Sequence, residues 1–343
     1  MKTSAIVSES RRTVSVIVPN YNHARFLPQR MQSILGQSYQ DFELILMDDC
    51  STDDSRTVLS QYAGDPRVRI EFNQANSGST FKQWNKGVGL ARGRYVWIAE
   101  SDDYAEPRLL ERLVAKLDAD LAVAFAYCRS WRTSEDGRLH GFADYYLDEF
   151  RTARWTADFC VDGVEECRNY FVLTNPVPNA SAVLFRKSAY EGVGGADDSF
   201  RACGDWKLWA AMALTGKIAY IGEPLNYFRF HEASVSSQSQ LARIDVAEHL
   251  QVVKWVLDRV TVSDARLAAI RERKARLWIP SLLTLKMPLG LRRLILKNAR
   301  AIDPHAVPKL VGPAVMAVGS KLRRVLFGVR AGQALGKGAM PGE

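Results

Sequence analysis

Three carboxylates stand within four residues at Glu100-Ser101-Asp102-Asp103, directly after the apolar, β-prone run Arg94-Tyr95-Val96-Trp97-Ile98-Ala99. A buried strand has no use for acidic side chains, but the carboxyl end of a parallel strand, where open α/β sheets bind ligands, can use them to hold a hard cation. Glu100 and Asp102 are spaced i, i+2, so in extended chain both side chains leave the same side and reach one ion and its phosphates. The same residues also suit a solvated turn and helix cap, because Glu106-Pro107 and the pattern Leu109, Leu110, Leu113, Val114, Leu117 open a helix just afterwards. A second acidic group, Asp48-Asp49-Cys50-Ser51-Thr52-Asp53-Asp54, follows the apolar run 42–47 in the same way.

The elements that must position these groups follow from periodicity. Residues 14–18 form a β-branched run stopped by Pro19 and followed by Asn20-Tyr21-Asn22-His23, which reads as a first strand and its loop. Phe26, Leu27, Met31, Ile34 and Leu35 mark a helix before the strand 42–47. Val58, Leu59 and Tyr62 mark another before the strand 68–72, and Phe81, Trp84, Val88 and Leu90 a third before the strand 94–99. Strands alternating with helices imply a parallel sheet covered on both faces. Beyond it, 121–127 and 181–185 read as strands, and 132–178 lacks a clean period and reads as loops with short helices. Asp205 heads a helix bearing Trp206, Leu208, Trp209 and Met212, while 217–221 and 224–230 are extended and reach His231. Trp206 and Trp209, at i, i+3, read as core rather than as a sugar-stacking wall. After Ser239 the character becomes helical.

The chain has 343 residues, 47% apolar and 24% charged, a balance able to bury a sizeable core. No uncharged apolar run approaches the roughly 18 residues of a spanning helix, and residues 1–12 lack the apolar stretch of a secretory signal, so the chain is expected to be cytoplasmic. Five scattered cysteines without a C-x-x-C pair argue against both a disulfide framework and a zinc site. The net charge of +8 is concentrated in residues 281–343, where eleven Lys and Arg face only Asp303 and Glu343. There Arg292, Arg293, Lys297 and Arg300, then Lys321, Arg323 and Arg324, are interleaved with Leu291, Leu294, Ile295, Leu296 and Val325, Leu326, Phe327. This basic amphipathic character suits an anionic membrane surface, with a solvated appendage or protein-contact arm as the alternative. Nucleic acid is not expected, since no binding module is recognisable.

Val16-Ile17-Val18-Pro19-Asn20-Tyr21-Asn22, Asp48-Asp49-Cys50-Ser51-Thr52-Asp53 and Glu100-Ser101-Asp102-Asp103 occur in an order and spacing that resembles the family 2 inverting glycosyltransferases. Asn76-Ser77-Gly78, Asn85-Lys86-Gly87, Ala91-Arg92-Gly93, the 193–197 turn, Cys203-Gly204-Asp205-Trp206 and Leu225 to His231 extend the resemblance over roughly residues 13–237. The resemblance implies a GT-A fold, an α/β architecture with a Rossmann-like, mostly parallel sheet flanked by helices, here followed by a helical, basic C-terminal extension. It divides the chain into a tail (1–12), a GT-A domain (13–239, with a nucleotide-binding half to 130 and an acceptor half from 131) and the extension (240–343).

By the same resemblance Pro19, Tyr21, Asn22 and Asp49 hold the nucleotide base, Asp49 accepting the imide N–H that uracil and thymine have and cytosine lacks. Asn76 belongs to the nucleotide-sugar contacts and Lys82 faces the phosphates. Glu100 and Ser101 lie by the ribose, and Asp102 coordinates Mg²⁺ or Mn²⁺ bridging the diphosphate, with Asp103 nearby and His231 as a further ligand or phosphate contact. The chain departs from the family pattern in carrying Glu100 for Asp, Gln83 and Trp84 where Arg is common, and Gly204 where a second acidic residue is common. An inverting transfer is a single displacement in which some group takes the acceptor hydroxyl's proton. Asp205 matches the family's late acidic motif and is the expected base, ahead of Asp197 and Asp198. Its structural alternative is a helix cap worth about 1 kcal/mol.

The expected activity is metal-dependent transfer of a sugar from a UDP- or dTDP-sugar to a glycan or lipid-linked acceptor hydroxyl, serving surface polysaccharide or glycan assembly in the cytoplasm or at the inner face of the membrane. A sugar-nucleotide nucleotidyltransferase would want a glycine-rich, basic phosphate loop after the first strand, which Pro19-Asn20-Tyr21-Asn22 is not. A nicotinamide dehydrogenase would open a helix with its glycines, whereas Gly87-Val88-Gly89 ends one. A non-catalytic subunit of a membrane-bound glycan assembly complex would lack the carboxylates, and they are all present.

Overall fold

The computed structural model of the chain describes residues 13–231, 243–283 and 287–310. The expected tail 1–12, the division at 239, Lys286 and the basic group Lys321, Arg323 and Arg324 with Val325, Leu326 and Phe327 lie outside the described residues. The first half alternates strand and helix: β1 (Val14–Asn20), α1 (Leu27–Leu35), β2 (Phe42–Asp48), α2 (Ser55–Ser60), β3 (Val68–Phe72), α3 (Thr80–Leu90) and β4 (Tyr95–Ile98). These strands are parallel in the spatial order β3-β2-β1-β4. β1 is buried along its whole length, as a Val- and Ile-rich strand between two helical layers must be. Leu27, Met31 and Ile34 of α1 pack on one face with Val16, Val18, Leu44, Leu46 and Trp97. On the other face α3 approaches so closely that a Cβ on Gly87 would stand 2.6 Å from the Ile17 side chain.

Pro19 does not stop the first strand, which runs on to Asn20. Thr13 and Ile17 accept from Tyr95 and Ala99, so the odd-numbered residues of β1 face β4. The paired part of β4 ends opposite Ile17, and the N–H that Pro19 lacks has no ladder partner to lose. The register gathers the acidic strand ends: Asn20 stands opposite Asp48, and Ile17 opposite Ile98. The loops after β1, β2 and β4 therefore leave the sheet at one edge, its carboxyl end.

The second half continues with β5 (Tyr104–Ala105), α4 (Leu109–Ala119), β6 (Val123–Thr133), β7 (Leu139–Phe142), β8 (Phe159–Asp162), α5 (Gly163–Glu166), β9 (Val183–Arg186), α6 (Lys187–Gly192), α7 (Gly204–Ala213), β10 (Lys217–Arg229) and α8 (Ile244–Leu257). The sheet extends as β4-β9-β6-β10-β5, with β7 on β6 and β8 on β10. β9 is antiparallel to β4 and to β6, while β10 is parallel to β6. The sheet is thus parallel where strand and helix alternate and mixed beyond. The two extended segments expected at 217–230 are one strand, whose register shifts around Ile221, Pro224 and Asn226 produce the apparent break.

The chain divides into two compact units between Val262 and Ser263. The second contains α9 (Asp264–Leu282) and α10 (Leu289–Ile302), with Arg271 Nε donating to the Ile302 carbonyl at 2.9 Å. Among the described residues no helix is long and apolar enough to cross a membrane.

Candidate active site

At the ends of β1 and β2 the polar loops are stitched together by their own side chains. Asp48, fully buried, accepts from Asn20 Nδ2 at 2.9 Å, the Ser51 backbone at 3.0 Å and Arg56 Nε at 3.1 Å. Asn22 adopts φ 57°, a left-handed conformation that Asn tolerates, and its Oδ1 accepts from the Thr52 backbone at 2.8 Å. Tyr21 stands beside it 45% exposed, and Pro19 is buried beneath. Asp49 has a full set of donors: Asn73 Nδ2 at 2.6 Å, Ser77 N at 2.9 Å, Ser77 Oγ at 2.7 Å and Gln83 Nε2 at 2.9 Å. A base imide N–H can reach this carboxylate only by displacing one of them. Asn76 accepts from the Gly78 backbone in an exposed turn, and Lys82 projects into solvent from the first turn of α3.

The group after β4 does not keep the extended geometry expected for it. Asp103 N donates to the Glu100 carbonyl at 3.2 Å, so the chain turns and sends its carboxylates to different partners. Glu100 accepts from Trp84 Nε1 at 2.7 Å, and burial together with the Asp102 charge pushes its carboxyl up to about 8. Ser101 is buried, its Oγ 2.8 Å from His23 Nδ1. Asp102 Oδ2 lies 3.0 Å from His231 Nε2. Burial opposes ionisation of Asp102, yet the bond from His231 and the charges of both histidines hold its carboxyl below the usual range. Asp103 is taken by Asn179 Nδ2 at 2.6 Å and the Arg229 backbone at 2.9 Å, and burial beside Asp102 pushes it up to about 7.

Among the described residues the side chains that could share a cation are His23, Asp102 and His231, whose ligating atoms all lie within 4.8 Å of one another. Two ligands about 2.1 Å from an ion and at right angles stand about 3 Å apart, which is the Asp102–His231 separation. The three residues therefore fit a divalent cation. Asp103, expected beside the metal, is outside this trio, and His23, which periodicity and spacing did not single out, is inside it. Burial lowers the pKa of His23, against the opposing pull of the Asp102 charge.

Beneath the carboxylates lies Arg30 of α1, fully buried and 4.8 Å from the centre of the Trp97 ring, with Nη2 donating to Ser181 Oγ at 3.1 Å. Burial lowers its pKa to about 10 against the opposing pull of Asp103, Asp102 and Glu100. It is the internal counter-charge of the site.

In the second half, Asp205 sits in the first turn of α7 and accepts from Asn175 Nδ2 at 3.0 Å. Burial pushes its carboxyl up to about 6, with the charge of Glu248 adding to the effect. Glu248, on α8, accepts from the backbone N–H groups of Arg201, Ala202 and Cys203 at 2.7–2.9 Å and so fixes the approach to α7. Gly204 backs onto Phe81, where a Cβ would stand 2.5 Å from the ring. Trp209 packs against Trp84, Phe125 and Phe185 in the core, and Trp206 is buried with its Nε1 donating to the Phe171 carbonyl. Asp197 is ion-paired to Lys207, and Asp198 is exposed. A cleft of about 630 Å³ adjoins the cation trio, with Phe26 and Arg229 in its wall.

A family described as glycosyl transferase family 2 matches residues 15–172. The chain is 37% identical over 118 residues to glycosyltransferase GlyG of Streptococcus pneumoniae, covering 33% of this chain and 39% of that one, so it spans well under half of that relative's length. Its fold superposes on the crystal structure of S. aureus TarS 1–349 in complex with UDP-GlcNAc with a TM-score of 0.65 at 16% identity, covering 88% of each chain. The mannosyltransferase PcManGT from Pyrobaculum calidifontis, in complex with GDP-Man and Mn²⁺, gives a TM-score of 0.55 at 18% identity, covering 92% of this chain and 81% of that one. The strand-end carboxylates, the sheet order and these matches show a glycosyltransferase built on the GT-A fold, with residues 15–172 matching glycosyl transferase family 2.

Proposed function

We propose that the chain moves a sugar from a UDP- or dTDP-sugar, with inversion, to a hydroxyl on a glycan or lipid-linked acceptor, using Mg²⁺ or Mn²⁺. The observation that carries this reading is the meeting of Asp102, His231 and His23 at the carboxyl edge of the sheet. The nucleotide sugars bound by TarS and PcManGT, and the Mn²⁺ of the latter, support it by fold. When bound, the cation supplies electrostatic stabilisation of the charge that grows on the departing diphosphate.

The protein's own groups do the rest. Arg30, fully buried against Asp103, Asp102 and Glu100, opposes the negative charge gathered there. Pro19, Tyr21, Asn22 and Asp49 form the base wall, with Asn76 and Lys82 on the exposed rim. Asp205 takes the proton of the acceptor hydroxyl as that oxygen attacks the anomeric carbon from the face opposite the diphosphate. A carboxylate with its pKa near 6 is ionised at pH 7 and a stronger base than an ordinary Asp. The reading places the chain in the cytoplasm, held at the inner membrane face by the basic residues of 281–343.

The test is to screen UDP-, dTDP- and GDP-sugars with Mn²⁺ by thermal shift, then to follow consumption of the stabilising donor by mass spectrometry. Donor consumption in the wild type should stop on chelation. Asp102→Asn should remove it with the fold retained, and undiminished turnover in a folded Asp102→Asn protein sinks the metal assignment.

A further inference from the structure

We propose that His23 is a third protein ligand of the cation, making a two-histidine, one-carboxylate set that prefers a first-row transition ion such as Mn²⁺ over Mg²⁺. This rests on the metal-dependent reading above and adds to it a ligand and a metal class.

Three elements meet here: His23 from the loop after β1, Asp102 from the turn after β4, and His231 just past β10. The His23 and His231 rings stand edge to face at 5.3 Å between centroids, and both lean on Phe26, at 5.7 and 5.2 Å. Bonds of about 2.1 Å place neighbouring ligands of an octahedral ion about 3 Å apart and opposite ones about 4.2 Å apart. The trio, within 4.8 Å, needs only a small closure to meet those spacings. Ser101 Oγ, on the residue before Asp102, fixes the His23 ring through Nδ1 at 2.8 Å, the kind of outer-shell contact that orients a metal-binding imidazole. Orientation by a residue adjacent to another ligand makes the His23 ring part of the same construction as Asp102.

The donor set decides the metal. Mg²⁺ favours oxygen ligands and retains water, so two imidazoles give it little. Imidazole nitrogen suits transition ions better, and a two-histidine, one-carboxylate set is a transition-metal arrangement.

The experiment is pulsed EPR of Mn²⁺ bound to the full chain with UDP present, counting imidazole ¹⁴N couplings, beside Mn²⁺ and Mg²⁺ titrations. The wild type should show two imidazoles. His23→Gln should show one, with Mn²⁺ affinity at least about tenfold weaker and Mg²⁺ affinity changed far less. One imidazole in the wild type overturns the proposal without recourse to any variant, as does wild-type Mn²⁺ affinity in a folded His23→Gln protein. Undiminished Mn²⁺ binding in Asp102→Asn, or none in the wild type, instead overturns the metal reading on which the proposal stands.

Discussion

On the proposed mechanism, Asp205 carries the chemistry that pH should expose. Burial keeps its proton on the folded chain up to about pH 6, whereas the unfolded chain releases it near the ordinary value of 3.8. The folded state binds more protons over that interval, so this residue makes stability fall as pH rises from about 4 to about 6. A base works ionised, so kcat/KM should rise through about pH 6 and level off above it. Asp205→Asn keeps the side chain's shape and its carbonyl acceptor for Asn175 but takes no proton: transfer should drop by about 10²- to 10⁴-fold and the acid limb should vanish, while donor affinity holds. Steady-state pH profiles of both proteins check this, and a wild-type rate in the variant moves the base elsewhere. The acidic residues at strand ends were legible because a carboxylate after a β-prone run is out of place unless it binds something. Arg30 was not legible, since an arginine beside Met31 in an amphipathic helix usually points outward, and only the tertiary fold buries it. Asp103 stands outside the His23, Asp102 and His231 cluster because a turn at 100–103, invisible in spacing alone, redirects the carboxylates.

Among the elements, α7 is the one whose seat matters most to the site, because it carries Asp205 and lies against α3, whose Trp84 holds Glu100. Gly204→Ala improves helix propensity but drives a methyl group into Phe81 at 2.5 Å, so it should destabilise by about 1–3 kcal/mol through overpacking. Adding Phe81→Leu should recover part of that loss, a coupling that urea unfolding of the two single variants and the double variant would measure. Additive losses would mean that the two residues do not share the contact. The βα alternation of the first half was readable because each strand is apolar on both faces and each helix repeats with a 3.6 period. β6 was read only to Tyr127 because Arg129 and Arg132 interrupt its apolar pattern. In the fold these arginines lie over the rings of Phe142 and Phe230, so cation–aromatic contact takes the place of hydrophobic alternation. The antiparallel insertion of β9 between β4 and β6 is a choice of distant partners, which no local pattern encodes.

On the scale of the whole molecule, the charge asymmetry was plain in composition, but its exposure was not. On α10, Arg293, Lys297 and Arg300 face solvent together with Leu294 and with Leu289, which is 72% exposed; the helix has no acidic residue. If this face meets anionic lipid, Arg293→Glu with Lys297→Glu should lower partition of the full chain onto anionic liposomes at low salt by at least about tenfold, at roughly 1 kcal/mol per basic residue near the surface. Sedimentation with vesicles checks it, and equal partition of both proteins removes the membrane contact. The cation trio has a different reach along the chain. Asp102 and His231 are 129 residues apart, and β10, which delivers His231, is an internal strand between β6 and β5. During synthesis His23 and Asp102 leave the ribosome long before the last member of the trio exists. On the metal reading proposed above, a nascent chain cannot close the trio around an ion while its sheet is unfinished, so binding energy would reach only the completed sheet and ion uptake would mark the end of folding rather than guide its start.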